Sequence, residues 1–213
     1  MIAVNRLVEA VWDANPPATA GHQVRKVASE LRQRIPGGRS VILTDGPGYR
    51  VFLAEEQLDL STFRRHLSQA REATGQGRPA DAVVELQAAV RLWRGPIETG
   101  PAESFGALSS ALNERYLTAL EQLLDLRIRL GESAEVIGDL RQLVAEHPLR
   151  ERLRGLLMIA LARTGRQAEA LASFTSVRQM FADELGIDPG PELNQLHELI
   201  LRNELVVPPP ARS

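Results

Sequence analysis

At 213 residues, with 44% hydrophobic and 4% aromatic content, the chain can bury one large core or two modest ones, and its apolar residues, mostly Leu, Ala and Val, favour packed helices over a β-sandwich. The absence of cysteine excludes disulfides, thiolate zinc sites and a cysteine nucleophile, and fits a reducing cytoplasm. Formal charge is −2, yet residues 1–50 hold seven Arg or Lys against four acids, which leaves about −5 for the rest and points any anion binding to the head. No apolar run approaches the roughly 20 residues a bilayer span needs, and the opening MIAVNRLVEAVWD carries acids within its apolar stretch, unlike a signal peptide. The expectation is a cytoplasmic protein with no membrane partner.

In chain order, Val4, Leu7, Val8, Val11 and Trp12 predict a short amphipathic helix over residues 3–13, with Asn5 as a candidate cap, before Asn15-Pro16-Pro17 breaks it. Thr19 stands where an N-cap opens a second helix, about 19–35, whose apolar stripe is Val24, Ala28, Leu31 and Ile35. On that helix His22, Lys26, Ser29 and Gln33 face away from the stripe, with Arg25 and Arg32 on one flank and Glu30 on the other. Pro36-Gly37-Gly38 ends it, and two β-like runs, Ser40–Thr44 and Tyr49–Leu53, joined by Asp45-Gly46-Pro47-Gly48, predict a hairpin. Helix, turn, helix, hairpin is the order of a winged helix, whose second helix enters the major groove.

From Leu58 onward the pattern is helical, with Gly or Pro punctuation, and predicts helices over 60–74, 79–93, 104–130, 133–146, 149–164, 167–185 and 190–203. Gly77-Arg78-Pro79-Ala80-Asp81-Ala82 recurs as Gly165-Arg166-Gln167-Ala168-Glu169-Ala170, with a looser copy at Gly131-Glu132-Ser133-Ala134-Glu135. Gly131 and Gly165 are 34 residues apart, the tetratricopeptide period, while the 54-residue step from Gly77 to Gly131 implies an insertion around Arg94–Pro101. The fold class expected is mainly α: a partial winged helix-turn-helix with a β-hairpin wing over residues 1–56, a TPR-like all-helical bundle over 57–205, and a disordered tail over 206–213.

The helix over 19–35 admits two readings. In one, Arg25, Lys26 and Arg32 neutralise phosphates while His22, Ser29 and Gln33 meet base edges; in the other it is an ordinary surface helix with a solvated polar face. The hairpin that follows favours the first. Catalytic and metal motifs are absent: His197-Glu198 lacks the second histidine of a zincin, His66 and His147 stand alone, and Lys26, the only lysine, belongs to no phosphate-loop pattern. No enzyme activity, cofactor or metal is expected. Trp93, beside the Gly95-Pro96 break, reads as a packing anchor.

Several stretches carry a wider resemblance. Arg6-Leu7-Val8-Glu9-Ala10-Val11-Trp12, Pro16-Pro17-Ala18-Thr19-Ala20, Ser29-Glu30-Leu31-Arg32, Gly48-Tyr49-Arg50 and Leu92-Trp93-Arg94-Gly95-Pro96 are similar in order and spacing to the SARP family of actinobacterial antibiotic regulators. So are the more specific His147-Pro148-Leu149-Arg150-Glu151-Arg152-Leu153-Arg154-Gly155 and Glu184-Leu185-Gly186-Ile187-Asp188-Pro189-Gly190-Pro191-Glu192-Leu193. That family joins an OmpR-type winged helix to a bacterial transcriptional activation domain. The resemblance implies a transcriptional activator of secondary metabolism that binds direct repeats in promoter double-stranded DNA and recruits RNA polymerase through its sigma and alpha subunits. It also implies that the bundle supports homodimer or polymerase contacts. His22, Arg25, Lys26, Ser29 and Arg32 are the expected DNA contacts, supported by Thr44 and Arg50 from the wing.

Departures from the family pattern stand beside this. Members carry a small sheet and a first helix ahead of the segment that opens here at Met1, which leaves the apolar faces of residues 4–12 and 24–35 short of partners. An upstream start, a fragment of a longer regulator and a relic acting through protein contacts are the three explanations. Glu30 and Asp45 stand where the family favours basic residues, each replacing attraction to phosphate with repulsion of roughly 1 kcal/mol at low salt. The alternative function is therefore a TPR-like protein-interaction module with a vestigial winged helix.

Overall fold

A computed structural model describes residues 1–97 and 103–205. Part of the insertion expected at Arg94–Pro101, and the tail over 206–213, lie outside the described residues. The chain divides into two compact units, one formed by residues 1–65 with 91–117, the other by residues 66–90 with the chain from Thr118 on.

The first unit opens with β1 (Ile2–Ala3) and α1 (Val4–Trp12), followed by α2 (Ala20–Arg34), the single turn α3 (Gly38–Val41), β2 (Ile42–Asp45) and β3 (Gly48–Val51). The three strands form an antiparallel sheet in the order β1-β3-β2. β1 was not expected. It pairs Ile2 with Tyr49 and Ala3 with Gly48, a crossing that needs glycine, because a Cβ on Gly48 would lie 2.1 Å from the Ile2 carbonyl oxygen. Asn5 does not cap α1: the helix begins at Val4, whose amide donates to Pro47 O at 3.0 Å, so the hairpin turn satisfies the first amide that a side chain was expected to take. Thr19 is the N-cap of α2, but its Oγ1 accepts from Gln23 Nε2 at 3.0 Å rather than from a backbone amide. The hairpin is shorter than expected at its start. Ser40 and Val41 belong to a helical turn, in which the Ser40 hydroxyl donates to Gly37 O at 2.7 Å.

The core of this head is thin. Ala20, Ala28 and Ile42 are its buried apolar side chains, while Val27 stays 52% exposed and Val51 56%. The apolar faces of α1 and α2 line an open groove of about 730 Å³ with Leu7, Val11, Val24, Val27, Leu31 and Val51 among its walls. Elsewhere in the unit Trp93 is the anchor its position implied: it stacks on Tyr116 with ring centres 4.5 Å apart and planes 8° from parallel, and meets Phe63 at 6.2 Å.

From residue 58 on, α4 (Asp59–Gly75), α5 (Pro79–Arg91), α6 (Glu103–Arg129), α7 (Ser133–Glu146), α8 (Glu151–Arg163), α9 (Gln167–Leu185) and α10 (Pro191–Leu201) match the expected helices to within two residues at each end. The mainly helical architecture with a hairpin-bearing head is as expected. In the second unit Val136, Leu140, Leu153, Met158, Leu161 and Val177 are fully buried. The repeat has a physical basis. Gly77, Gly131 and Gly165 each take positive φ at a helix end, Arg78 and Arg166 pair with the acid three residues on, and Ala82 and Ala170 are completely buried. In the looser copy Glu132 instead accepts from Arg127 Nε at 2.6 Å.

Among the described residues no helix is long and apolar enough to cross a membrane, and no three metal-ligating side chains come together. His66 Nδ1 lies 2.7 Å from Glu85 Oε2, and His197 stacks on Phe174 at 3.9 Å, so both rings have packing partners. Arg154 is buried against Pro148 O and the Met180 sulfur, and burial holds its guanidinium below the ordinary arginine range.

Candidate nucleic-acid interface

α2 is the one long helix of the head with a continuous polar face. His22, Arg25, Lys26 and Ser29 fall at i, i+3, i+4 and i+7, all exposed, while Ala28 on the opposite side is buried. His22, Arg25 and Ser29 make no side-chain hydrogen bond or ion pair among the described residues. Lys26 Nζ stands 4.0 Å from Glu30, an exposed i, i+4 pair whose worth is a few tenths of a kcal/mol. These four side chains are available to a partner, and Glu30 is close enough to dilute the charge of Lys26.

The remaining three expected contacts are engaged within the head. Arg32 Nε donates to Ile42 O at 2.7 Å and its Nη2 to Thr44 Oγ1 at 2.9 Å, with the guanidinium carbon 5.5 Å from the centre of the Tyr49 ring. Arg50 pairs with Asp45 at 2.7 Å and lies over Phe52 at 5.8 Å. Because Asp45 sits opposite Gly48, that pair places a carboxylate at the end of the hairpin.

A further cation, not marked by the sequence pattern, stands close to this face. Arg39 lines a cleft of about 370 Å³ between α2 and the hairpin, together with Ser29, Arg32, Gln33 and Thr44. It lies in the turn after the helix rather than on a periodic face, so no helical spacing marks it.

The bacterial transcriptional activator domain model matches residues 58–201. The regulatory protein AfsR of Streptomyces coelicolor is 41% identical over 198 residues, covering 92% of this chain and 20% of that protein. The transcriptional regulatory protein EmbR of Mycobacterium tuberculosis is 34% identical over 209 residues, covering 95% of this chain and 54% of that one. The transcriptional regulator RedD of Streptomyces coelicolor is 35% identical over 222 residues, covering 99% of this chain and 62% of RedD. Among solved structures, Mycobacterium tuberculosis EmbR in complex with a low-affinity phosphopeptide superposes with a TM-score of 0.85 at 33% identity, covering 95% of this chain and 55% of that one. The chain thus spans about a fifth of AfsR and about half of EmbR.

Proposed function

The chain belongs to the bacterial transcriptional activator domain family, within the SARP regulators, and from that premise we propose that it is a transcriptional activator that reads promoter double-stranded DNA through α2. The observation that carries this reading is the exposed row His22, Arg25, Lys26 and Ser29 on a helix followed, after one further helical turn, by a hairpin, the order in which a winged helix presents its reading helix and its wing. Arg25 and Lys26 neutralise backbone phosphates; His22 and Ser29 reach base edges; Arg50 and the Thr44 strand stand at the flank. Residues 1–56 are the DNA-binding segment and 57–205 the activation domain, through which RNA polymerase sigma and alpha subunits are recruited, in the cytoplasm, with a second protomer on the neighbouring direct repeat. No cofactor enters this activity.

A second reading has one observation in its favour. Asp45 and Glu30 each stand against a cation of the proposed interface, which lowers its positive potential and suits a chain acting through its helical bundle on protein partners alone.

Fluorescence anisotropy on a labelled promoter duplex from the chain's own gene neighbourhood separates the two, titrated at about 50 and 200 mM salt against a scrambled duplex. Preferential binding of the promoter, weakening steeply with salt, supports the first. Absence of binding at the lower salt overturns it in favour of the second.

A further inference from the structure

Resting on the DNA reading above, we infer that Arg32 is a positioning residue: it fixes the hairpin against the reading helix and neutralises no phosphate. Its guanidinium grips both strands of the hairpin. Nε and Nη2 hold Ile42 O and Thr44 Oγ1 on β2, and the cation lies against Tyr49 on β3, directly opposite Thr44 in the strand register. The acceptors are two residues apart on one strand, and a planar fork of donors meets both while an ammonium, a single point of charge, does not. Arg32 is half-buried, whereas His22, Arg25, Lys26 and Ser29 are exposed.

The hairpin needs such a clamp. Its strands are four residues each, β1 adds only two residues at one edge, and Ile42 is its one buried apolar side chain. Two short strands are marginal alone in water, so a link from the last turn of α2, beside the β1 pairing and the Val4–Pro47 bond, helps fix where the hairpin rests. Thr44 then acts as the anchor of the clamp rather than as a DNA contact.

The two roles differ in their salt signature. A lost phosphate contact lowers the slope of log K against log salt by about 0.9, whereas a displaced hairpin lowers affinity at every salt with the slope intact. The test uses the full chain with Arg32→Ala, Arg32→Lys and Thr44→Val, the promoter duplex above, and amide hydrogen exchange over 42–51. Expected are a loss of about tenfold in affinity for both Arg32 variants and less for Thr44→Val, slopes equal to the parent's, non-additivity of Arg32→Ala with Thr44→Val, and faster exchange confined to the hairpin. Arg25→Ala serves as the contrast, with a slope lowered by about one. A lowered slope in Arg32→Ala with unchanged exchange overturns the inference, as does full binding by Arg32→Lys. Should the parent bind no duplex, the DNA reading falls by itself and the exchange decides Arg32: acceleration upholds the clamp, unchanged rates remove it. Thr44→Val, which deletes a single hydroxyl, covers the case in which an Arg32 variant fails to fold.

Discussion

The Glu151 carboxylate accepts a hydrogen bond from the Gly190 amide at 2.9 Å, across 39 residues of sequence. Glu151 opens α8 and Gly190 is the N-cap of α10, so one carboxylate faces the first turns of two helices, where backbone amides point outward and the helix dipole favours an anion. The two most distinctive stretches of the sequence, around His147–Gly155 and Glu184–Leu193, therefore meet at this bond, beside which Leu193 packs against Gly155. Glu151→Ala is expected to cost about 1–3 kcal/mol by leaving that amide unpaired, and Glu151→Gln less, because an amide oxygen still accepts. A Cβ on Gly190 would stand 3.0 Å from Glu151 Oε2, so Gly190→Ala should be less favourable in the parent than in Glu151→Ala, where that carboxylate is gone. Additive melting temperatures in the double variant would refute the coupling.

Asp45→Asn is expected to strengthen DNA binding. The Asp45–Arg50 pair is about half exposed on both sides, which puts its contribution to stability near 0–1 kcal/mol. Removing the carboxylate releases Arg50 and deletes an anion from the hairpin end at little cost to folding. The salt slope on the promoter duplex should steepen by up to one phosphate contact while the melting temperature stays within a few degrees. A weaker or unchanged affinity would show that Arg50 faces no phosphate.

Periodic elements were the legible part of this chain. The helices from α4 to α10 follow from apolar spacing and glycine ends, and α2 from a stripe whose Ala28 is indeed buried. What spacing did not show were contacts made between elements. β1 is two residues long, too short for any alternation, and exists because Gly48 admits its backbone. Arg32 falls on a flank of the helical wheel, which gives its direction but not its reach, and the acceptors it finds lie ten and twelve residues further on. The exposed row on α2 was legible; the division between side chains left free and those already engaged in the head was not.

The small residues of the repeat make a packing prediction. Ala170 is fully buried and Ala168, two positions before it on the same turn, is exposed. Ala170→Leu must displace close-packed neighbours and should destabilise by about 1–3 kcal/mol, whereas Ala168→Leu should change stability by less than about 0.5 kcal/mol. Ala82→Leu is expected to behave as Ala170→Leu does, since the same repeat position is equally buried. Denaturant titrations with unchanged m-values would measure this, and equal tolerance at Ala168 and Ala170 would contradict the repeat as a packing device.

Glu169 supplies a pH dependence. Arg166 donates to both its oxygens at 2.7 and 2.8 Å, and Arg141 adds a bond at 2.6 Å. The bond from Arg166 holds the Glu169 carboxyl below its ordinary value, with Arg141 contributing in the same direction. A carboxyl whose pKa is depressed by folding adds stability that is present above its unfolded value and is lost as pH falls through the folded one. The parent should therefore melt above Glu169→Gln at neutral pH, and the gap should close as the solution is taken down to about pH 3. Both side chains are open to solvent, so the gap should also shrink with added salt. Melting curves of the two proteins across that range decide the matter: a gap independent of pH would mean that the glutamine variant loses packing rather than charge, and the Arg166–Glu169 pair would then be an ornament of the repeat rather than a part of its stability.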